Sequence, residues 1–343
     1  MNQWLIAMPI YNIYDKFSFE IIDKTEGFIR SAFLELDFFK SENRAANHTV
    51  IEIGDFKPVT TNTHCIDHIW YIRKNFLYAD FGRYRFNLVN PFGDNTLIQF
   101  FCKRRLVPPR FHLTVEHLLF KGILRELLLS KLHQIGWYFL HASAVSIKGE
   151  VVVVAGAGGV GKTAFWLEAL KHDAMLYGDD FILINDEGKV VPFPNHIKTL
   201  NYRLENQNNR DNLSTQDLMR WFYSVSKFTH NHIPIAGPKQ ADLLLMLFRS
   251  GSVVPPLEQD ISDGMLSEKI YRNLLLEIYH NRLDSFLLMY QYVFPECFSN
   301  SFECSYKNAL DFAFSKCEKE KLIVEFKDKS DIDKFFHKII ERL

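Results

Sequence analysis

The residues best equipped for chemistry lie in one run, Gly156-Ala157-Gly158-Gly159-Val160-Gly161-Lys162-Thr163. It has the Gly-x4-Gly-Lys-Thr spacing of a phosphate-binding loop. The ligand explains each residue type. Glycines let the backbone wrap an anion with its N–H groups pointing inward, in conformations a Cβ would forbid. Lys162 brings a point charge to the outer phosphates of a nucleotide, and the Thr163 hydroxyl can hold Mg²⁺. Ala164, the next residue, is counted with this nucleotide-binding run.

A second group follows in Tyr177-Gly178-Asp179-Asp180-Phe181. Carboxylates at a strand end beside a phosphate loop can do two things. One holds Mg²⁺, directly or through water, and another accepts the proton of an attacking hydroxyl. The assignment between Asp179 and Asp180 stays open here. Consecutive strand residues point to opposite faces. Both aspartates therefore reach one site only if the strand ends or bulges, which Gly178 permits. ATP and Mg²⁺ are the expected cofactors.

The elements that must position these groups can be read around them. Val151 to Val154 is a β-branched run, the signature of a buried strand. Phe165, Leu167 and Leu170 open a helix whose positive N-terminal end faces the same anion. Before the loop, Trp137 to Val145 reads as a strand, turning through Ser146 to Glu150 into the loop's own strand. After the loop helix, Ala174 to Ile184 reads as a strand, and a turn at Asn185 to Gly188 leads into Lys189 to Phe193. An antiparallel neighbour on the loop strand makes the expected sheet mixed rather than all-parallel.

Farther out, residues 1–112 read as a β-rich domain. Trp4 to Ile10, Ser18 to Ile22, Ala32 to Phe38 and Thr49 to Ile53 are expected strands. A three-stranded meander is expected over Phe76 to Cys102, with turns at Asp80 to Arg83 and Asn90 to Asn95. His64, Cys65 and His68 cluster in sequence but lack a third ligand in view, and read as polar strand residues. Thr114 is an expected N-cap for a helix carrying Val115, Leu118, Leu119, Ile123, Leu124, Leu127, Leu128 and Leu132 at helical period, packed on the nucleotide domain. Residues 113–343 form that second domain. Thr215 to Phe228 reads as a helix, Ala241 to Phe248 as a buried strand, and Ser262 to Lys316 as mainly helical. Lys321 to Phe326 and Asp331 to Leu343 make a last strand and an amphipathic closing helix.

The runs Leu140-His141-Ala142-Ser143-Ala144-Val145, Gly156 to Thr163 and Gly178-Asp179-Asp180, in this order and spacing, resemble the HPr kinase/phosphorylase family. Its wider relatives share a nucleotide-binding core with ATP-dependent phosphoenolpyruvate carboxykinase. The resemblance implies an α/β, mixed-sheet P-loop kinase core after the β-rich domain, and transfer of a phosphoryl group from ATP to a hydroxyl, usually of serine. It also implies that the aspartates supply metal contact and base, and that His141 supports the base. Lys198, in Pro194 to Lys198, resembles a basic residue brought towards the phosphates. Lys239, ending Pro234-Ile235-Ala236-Gly237-Pro238-Lys239, stands where the family's substrate-side signature usually has arginine. Lysine cannot grip phosphate bidentately. Ala164 replaces the family's glutamate, and no match to the family's N-terminal domain is found. A relative with another acceptor is implied: a peptide, a protein or a small molecule bearing a hydroxyl.

Composition narrows the classes. The 343 residues are 47% apolar and 24% charged, globular rather than disordered. A net charge of −1 argues against a general nucleic-acid or membrane-surface binder. The five scattered cysteines read as reduced thiols of a cytoplasmic protein. Met1 to Tyr14 lacks the basic start and cleavage site of a signal peptide. No Asn-Lys-x-Asp run argues for GTP. The N-terminal half is expected to recognise the acceptor or to pair with a second copy in a homo-oligomer. A nucleotide-hydrolysing switch without a phosphorylated product is the rival reading.

Overall fold

The computed structural model describes residues 10–25, 34–82, 84–103, 119–194, 233–249, 257–279, 285–297, 301–317, 320–327 and 329–343. They fall into two units, Met1–Ile135 with Arg282–Asn300, and Gly136–Asn281 with Ser301–Leu343.

In the first unit nine strands form one sheet among the described residues: β1 (Ile10–Ile13), β2 (Phe17–Asp23), β3 (Lys40–Ser41), β4 (His48–Ile53), β5 (His64–Ile66), β6 (Trp70–Arg73), β7 (Phe76–Asp80), β8 (Tyr84–Val89) and β9 (Asn95–Cys102). Their order is β3-β1-β2-β4-β9-β8-β7-β6-β5. The expected meander is present as antiparallel β7, β8 and β9. β4 lies parallel to both β2 and β9. Ala32 to Phe38 is corrected. Leu34–Phe39 forms 3₁₀ turns, with Leu36 buried and Phe38 exposed, so residues two apart do not share a face as a strand would require; Ala32 and Phe33 lie outside the described residues. Of Trp4 to Ile10, only Ile10 lies within the described residues.

The helix expected from the leucine pattern is α1 (Arg125–Gln134), preceded by a wide turn at Phe120–Leu124. Ile123, Leu124, Leu127, Leu128 and Leu132 are all buried. It belongs to the first unit rather than to the second. Lys131 Nζ donates to the Gly93 carbonyl and Gln134 reaches that of Phe92, both in the β8–β9 turn. The division therefore falls after Ile135, beyond the expected 112. Glu126 also accepts from Ser285 Oγ (3.1 Å) and the Leu287 N–H (3.2 Å), tying in the helix Phe286–Val293.

The second unit is a mixed α/β arrangement of β10 (Tyr138–Leu140), β11 (Ala142–Ile147), β12 (Glu150–Gly156), α2 (Lys162–Leu170), β13 (Met175–Gly178), β14 (Ile182–Ile184), β15 (Val190–Val191), β16 (Leu243–Arg249), β17 (Leu257–Asp260), α3 (Asp263–Tyr279), α4 (Ser301–Ser315), β18 (Glu320–Phe326) and α5 (Lys329–Arg342). Its larger sheet runs β13-β11-β12-β16-β18-β17, with β12, β16 and β18 parallel. Val152, Val154, Leu245 and Val324 of this sheet pack under Phe165 and Trp166 of α2 and Phe336 and Ile339 of α5. A smaller sheet is β10-β14-β15.

Two single strands expected from sequence are each broken in two. Trp137 to Val145 breaks at His141, and Ala174 to Ile184 breaks over Asp179-Asp180-Phe181. β10 pairs with β14 in the small sheet, while β11 pairs with β13 in the large one. Both chains thus leave one sheet for the other at the same level. Gly178 permits this turn, because a Cβ there would lie 2.1 Å from the Phe181 carbonyl oxygen. Lys198 and Thr215 to Phe228 lie outside the described residues. No helix among them is long and apolar enough to cross a membrane.

Candidate functional site

The glycine-rich loop leaves β12 at its carboxyl end, where parallel α/β sheets bind ligands. Gly156 has φ +147°, and a Cβ on it would come within 2.7 Å of the Leu247 carbonyl oxygen of β16. Only glycine fits between the strands there. Gly161, at φ +108°, caps α2, and its carbonyl accepts the Phe165 N–H at 3.0 Å. Ala157, Gly158 and Gly159 are exposed, whereas Val160 turns into the core. Lys162 is buried and its Nζ donates to the carbonyls of Gly156 (2.6 Å) and Ala157 (3.1 Å). Ala164 packs on the core, leaving the site its backbone alone.

The same end of the sheet gathers the other groups. Asp179 is 2% exposed. Its Oδ1 accepts the Thr163 hydroxyl at 2.8 Å and the Trp166 indole N–H at 2.6 Å. Thr163 and Trp166 are three residues apart on α2 and share a face. The Ser143 hydroxyl donates to the Asp179 backbone carbonyl. A loop hydroxyl and a buried carboxylate in direct contact form a hard-oxygen donor pair of the kind Mg²⁺ takes. The cradle and this pair fit a nucleotide with its metal. Asp180, next along the turn, is half-buried.

His141 is buried at the break between β10 and β11. The pairing of Ala142 with Ala155 sets it at the level of Gly156. Asn273 Nδ2 donates to its carbonyl at 2.9 Å, and Glu277 Oε2 stands 3.9 Å from its Nε2. Its ring lies 5.7 Å from that of Phe181. One end of the sheet therefore carries His141, Lys162, Thr163 and Asp179. Ser143, Trp166, Asn273 and Glu277 were not expected there. Spacing from Thr163 could have flagged Trp166, and strand periodicity from His141 could have flagged Ser143. Nothing in the sequence marks Asn273 or Glu277, which are more than 130 positions from His141.

Lys239 is not brought to this end of the sheet. Its Nζ donates to the Gly149 carbonyl at 2.5 Å and lies 3.3 Å from Asp242 Oδ2, which in turn accepts the Val151 N–H at 2.6 Å. These groups mark the amino end of β12, roughly 20 Å from its carboxyl end at the usual strand rise. The Pro234 to Lys239 run edges the sheet instead. Pro234 and Ala236 bond Leu176, Lys239 bonds Val190, and the Tyr177 phenol donates to the Gly237 carbonyl at 2.7 Å. Burial pushes that phenol up to about 12, and the Asp242 charge adds to the effect.

His64 and Cys65 of β5 are exposed and join no metal-binding group among the described residues. Cys65, Cys102 and Cys304 are free thiols, and the Cys317 thiol donates to the Asp242 carbonyl at 3.0 Å. No protein-family model and no curated protein matches this chain. Among solved structures it is similar to the HPr(Ser) kinase/phosphatase from Coxiella burnetii, with 10% sequence identity and a TM-score of 0.24. That match covers 60% of this chain and 94% of the other. A likeness at that level does not establish a shared activity.

Proposed function

We propose that this chain is an ATP- and Mg²⁺-dependent kinase with a core of the HPr kinase type, which transfers the γ-phosphoryl group to a hydroxyl. The observation that carries this reading is the 2.8 Å hydrogen bond from Thr163 to Asp179. It joins Thr163 to one of the two aspartates expected to share the metal and base roles. The loop backbone from Gly156 to Thr163 and the Lys162 ammonium would hold the phosphates. Thr163 and Asp179 would hold Mg²⁺, which when bound neutralises charge on the phosphate oxygens. Trp166 and Ser143 fix Asp179 in that position.

With Asp179 engaged by Thr163 and Trp166, Asp180 is the residue assigned to the proton. The acceptor oxygen forms its bond to the γ-phosphorus as the bond to the ADP oxygen breaks, and Asp180 takes the hydroxyl proton. His141, braced by Asn273 and Glu277, supports this carboxylate from the neighbouring strand break. The acceptor is a hydroxyl-bearing peptide, protein or small molecule, serine being the first candidate.

The test is phosphoryl transfer from γ-labelled ATP to a panel of serine peptides and small alcohols. Wild type is expected to label an acceptor. Asp180→Asn should keep ATP binding while transfer falls by about 10²–10⁴-fold, the usual contribution of a general base. Failure to bind ATP would overturn the proposal. Steady hydrolysis with no labelled acceptor across the panel would favour a nucleotide-driven switch.

A further inference from the structure

The far end of α2 carries a second group of ligating side chains. Glu168, His172 and His337 present ligand atoms that all lie within 4.8 Å of one another. Glu168 and His172 are four residues apart, and the helix continues through a turn in which the His172 N–H bonds the Ala169 carbonyl at 2.9 Å. That spacing stacks the two side chains on one face. His337 comes from α5, and its ring lies 6.3 Å from that of His172. The backbones behind them are held by packing. Phe165 and Phe336 meet at 4.8 Å between ring centroids, and Ile332 and Phe336 lie beside Gly161. All three ligands are solvent-accessible, so an ion has an entry path.

The geometry points to a binding site here for a borderline divalent transition cation of the Zn²⁺ class. Two imidazoles and a carboxylate, from two helices, leave a fourth position for water, whereas Mg²⁺ and Ca²⁺ prefer oxygen-only sets. Two neighbours contact the ligands, and only the first competes with the ion. Lys171 Nζ lies 2.6 Å from Glu168 Oε2, and Glu341 Oε1 lies 3.2 Å from His337 Nε2. Binding releases Glu168 from Lys171, and Glu341 is placed to orient His337 as a carboxylate behind the ligand. The site is separate from the Thr163–Asp179 pair. Glu168 follows Thr163 by five positions, about 8 Å along the helix axis. It clips the C-terminal end of α2 to α5, and it holds whether or not the kinase proposal does.

The experiment is equilibrium dialysis of the tag-free full chain against Zn²⁺ at neutral pH with Mg²⁺ in excess, paired with the visible spectrum of the Co²⁺ form. One equivalent of Zn²⁺ is expected, together with an intense Co²⁺ band of the tetrahedral type. The double variant His172→Gln/His337→Gln should lose the band and bind at least about tenfold more weakly, since even partners behind a ligand are worth that much. Asp179→Asn should leave both readouts unchanged. Wild type without stoichiometric Zn²⁺, or Zn²⁺ binding that survives the double substitution or disappears with Asp179→Asn, would overturn the proposal.

Discussion

Lys131 of the first unit and Lys162 of the second are both buried, and both donate to a glycine carbonyl. They differ in where they stand on their helices. Lys131 sits in the last turn of α1, where the negative end of the helix dipole welcomes a cation, and Asp94 adds a favourable charge. Lys162 is the first residue of α2, among N–H groups that carry positive partial charge. An ammonium and a helix N-terminus crowded together repel each other and both favour an anion. Burial and a carbonyl partner therefore do not distinguish the two lysines; the position along the dipole does.

The sharpest break of this comparison is a paired substitution. Lys162→Met should lower phosphoryl transfer by about 10²–10³-fold, the loss typical of one charge-stabilising donor. Lys131→Met should leave transfer at the wild-type rate. Equal losses, read in the labelled-ATP assay, would mean that the dipole distinction is empty. Next in size is a contrast between glycines of the two units. A Cβ on Gly178 meets the Phe181 and Phe193 backbone carbonyls, whereas one on Gly93 meets only the side chain of Asn90. Gly178→Ala is expected to cost about 1–3 kcal/mol, as overpacking against backbone does. Gly93→Ala should cost less, because a side chain can swing away. Urea midpoints of the two variants decide it.

The glycine loop was legible because its residue types answer to local demands. Gly156 must avoid the Leu247 carbonyl and Gly161 must take a positive φ, so both had to be glycine. The meander of the first unit was legible for the same reason, its turns being written in Gly, Asn, Asp and Pro. The strand break at His141 was not, whereas Gly178 had marked the one beside the aspartates. Trp137 to Val145 holds no Gly or Pro to mark the break, and a strand-like run does not record that a strand changes sheets. The ownership of α1 was illegible too, since a leucine stripe shows that a helix is buried but not against what. Asn273 and Glu277 reach His141 only through the folded chain. The place of Lys239 was illegible because a motif fixes order along the chain, whereas the fold puts Gly149 and the loop at opposite ends of β12.

A pH series sharpens the comparison from the side of the first unit. Desolvation lowers the Lys131 ammonium from the ordinary 10.5 to about 8, against the opposing pull of Asp94. Between those values the unfolded chain holds a proton that the folded chain has released. Stability then rises with pH across that window, and the contribution flattens below about 8, where both states are protonated. Urea midpoints from pH 8 to 10.5 should climb in wild type, less the response of other groups, and Lys131→Met should remove this part of the slope.

The smallest expected effect belongs to a third lysine. Lys239 also donates to a glycine carbonyl, yet its side chain is 49% exposed and its partner carboxylate is Asp242. Water screens that pair, so Lys239→Ala should change stability by no more than about 1 kcal/mol. Asp242 keeps its bond to the Val151 N–H whether or not the lysine is present. Standing at the amino end of β12, Lys239 should also leave ATP affinity and transfer untouched. A large loss of ATP affinity in Lys239→Ala would put the ligand at the wrong end of the sheet. The dipole argument for Lys162 would then fail with it, because the anion that makes sense of a cation at the head of α2 would be bound elsewhere.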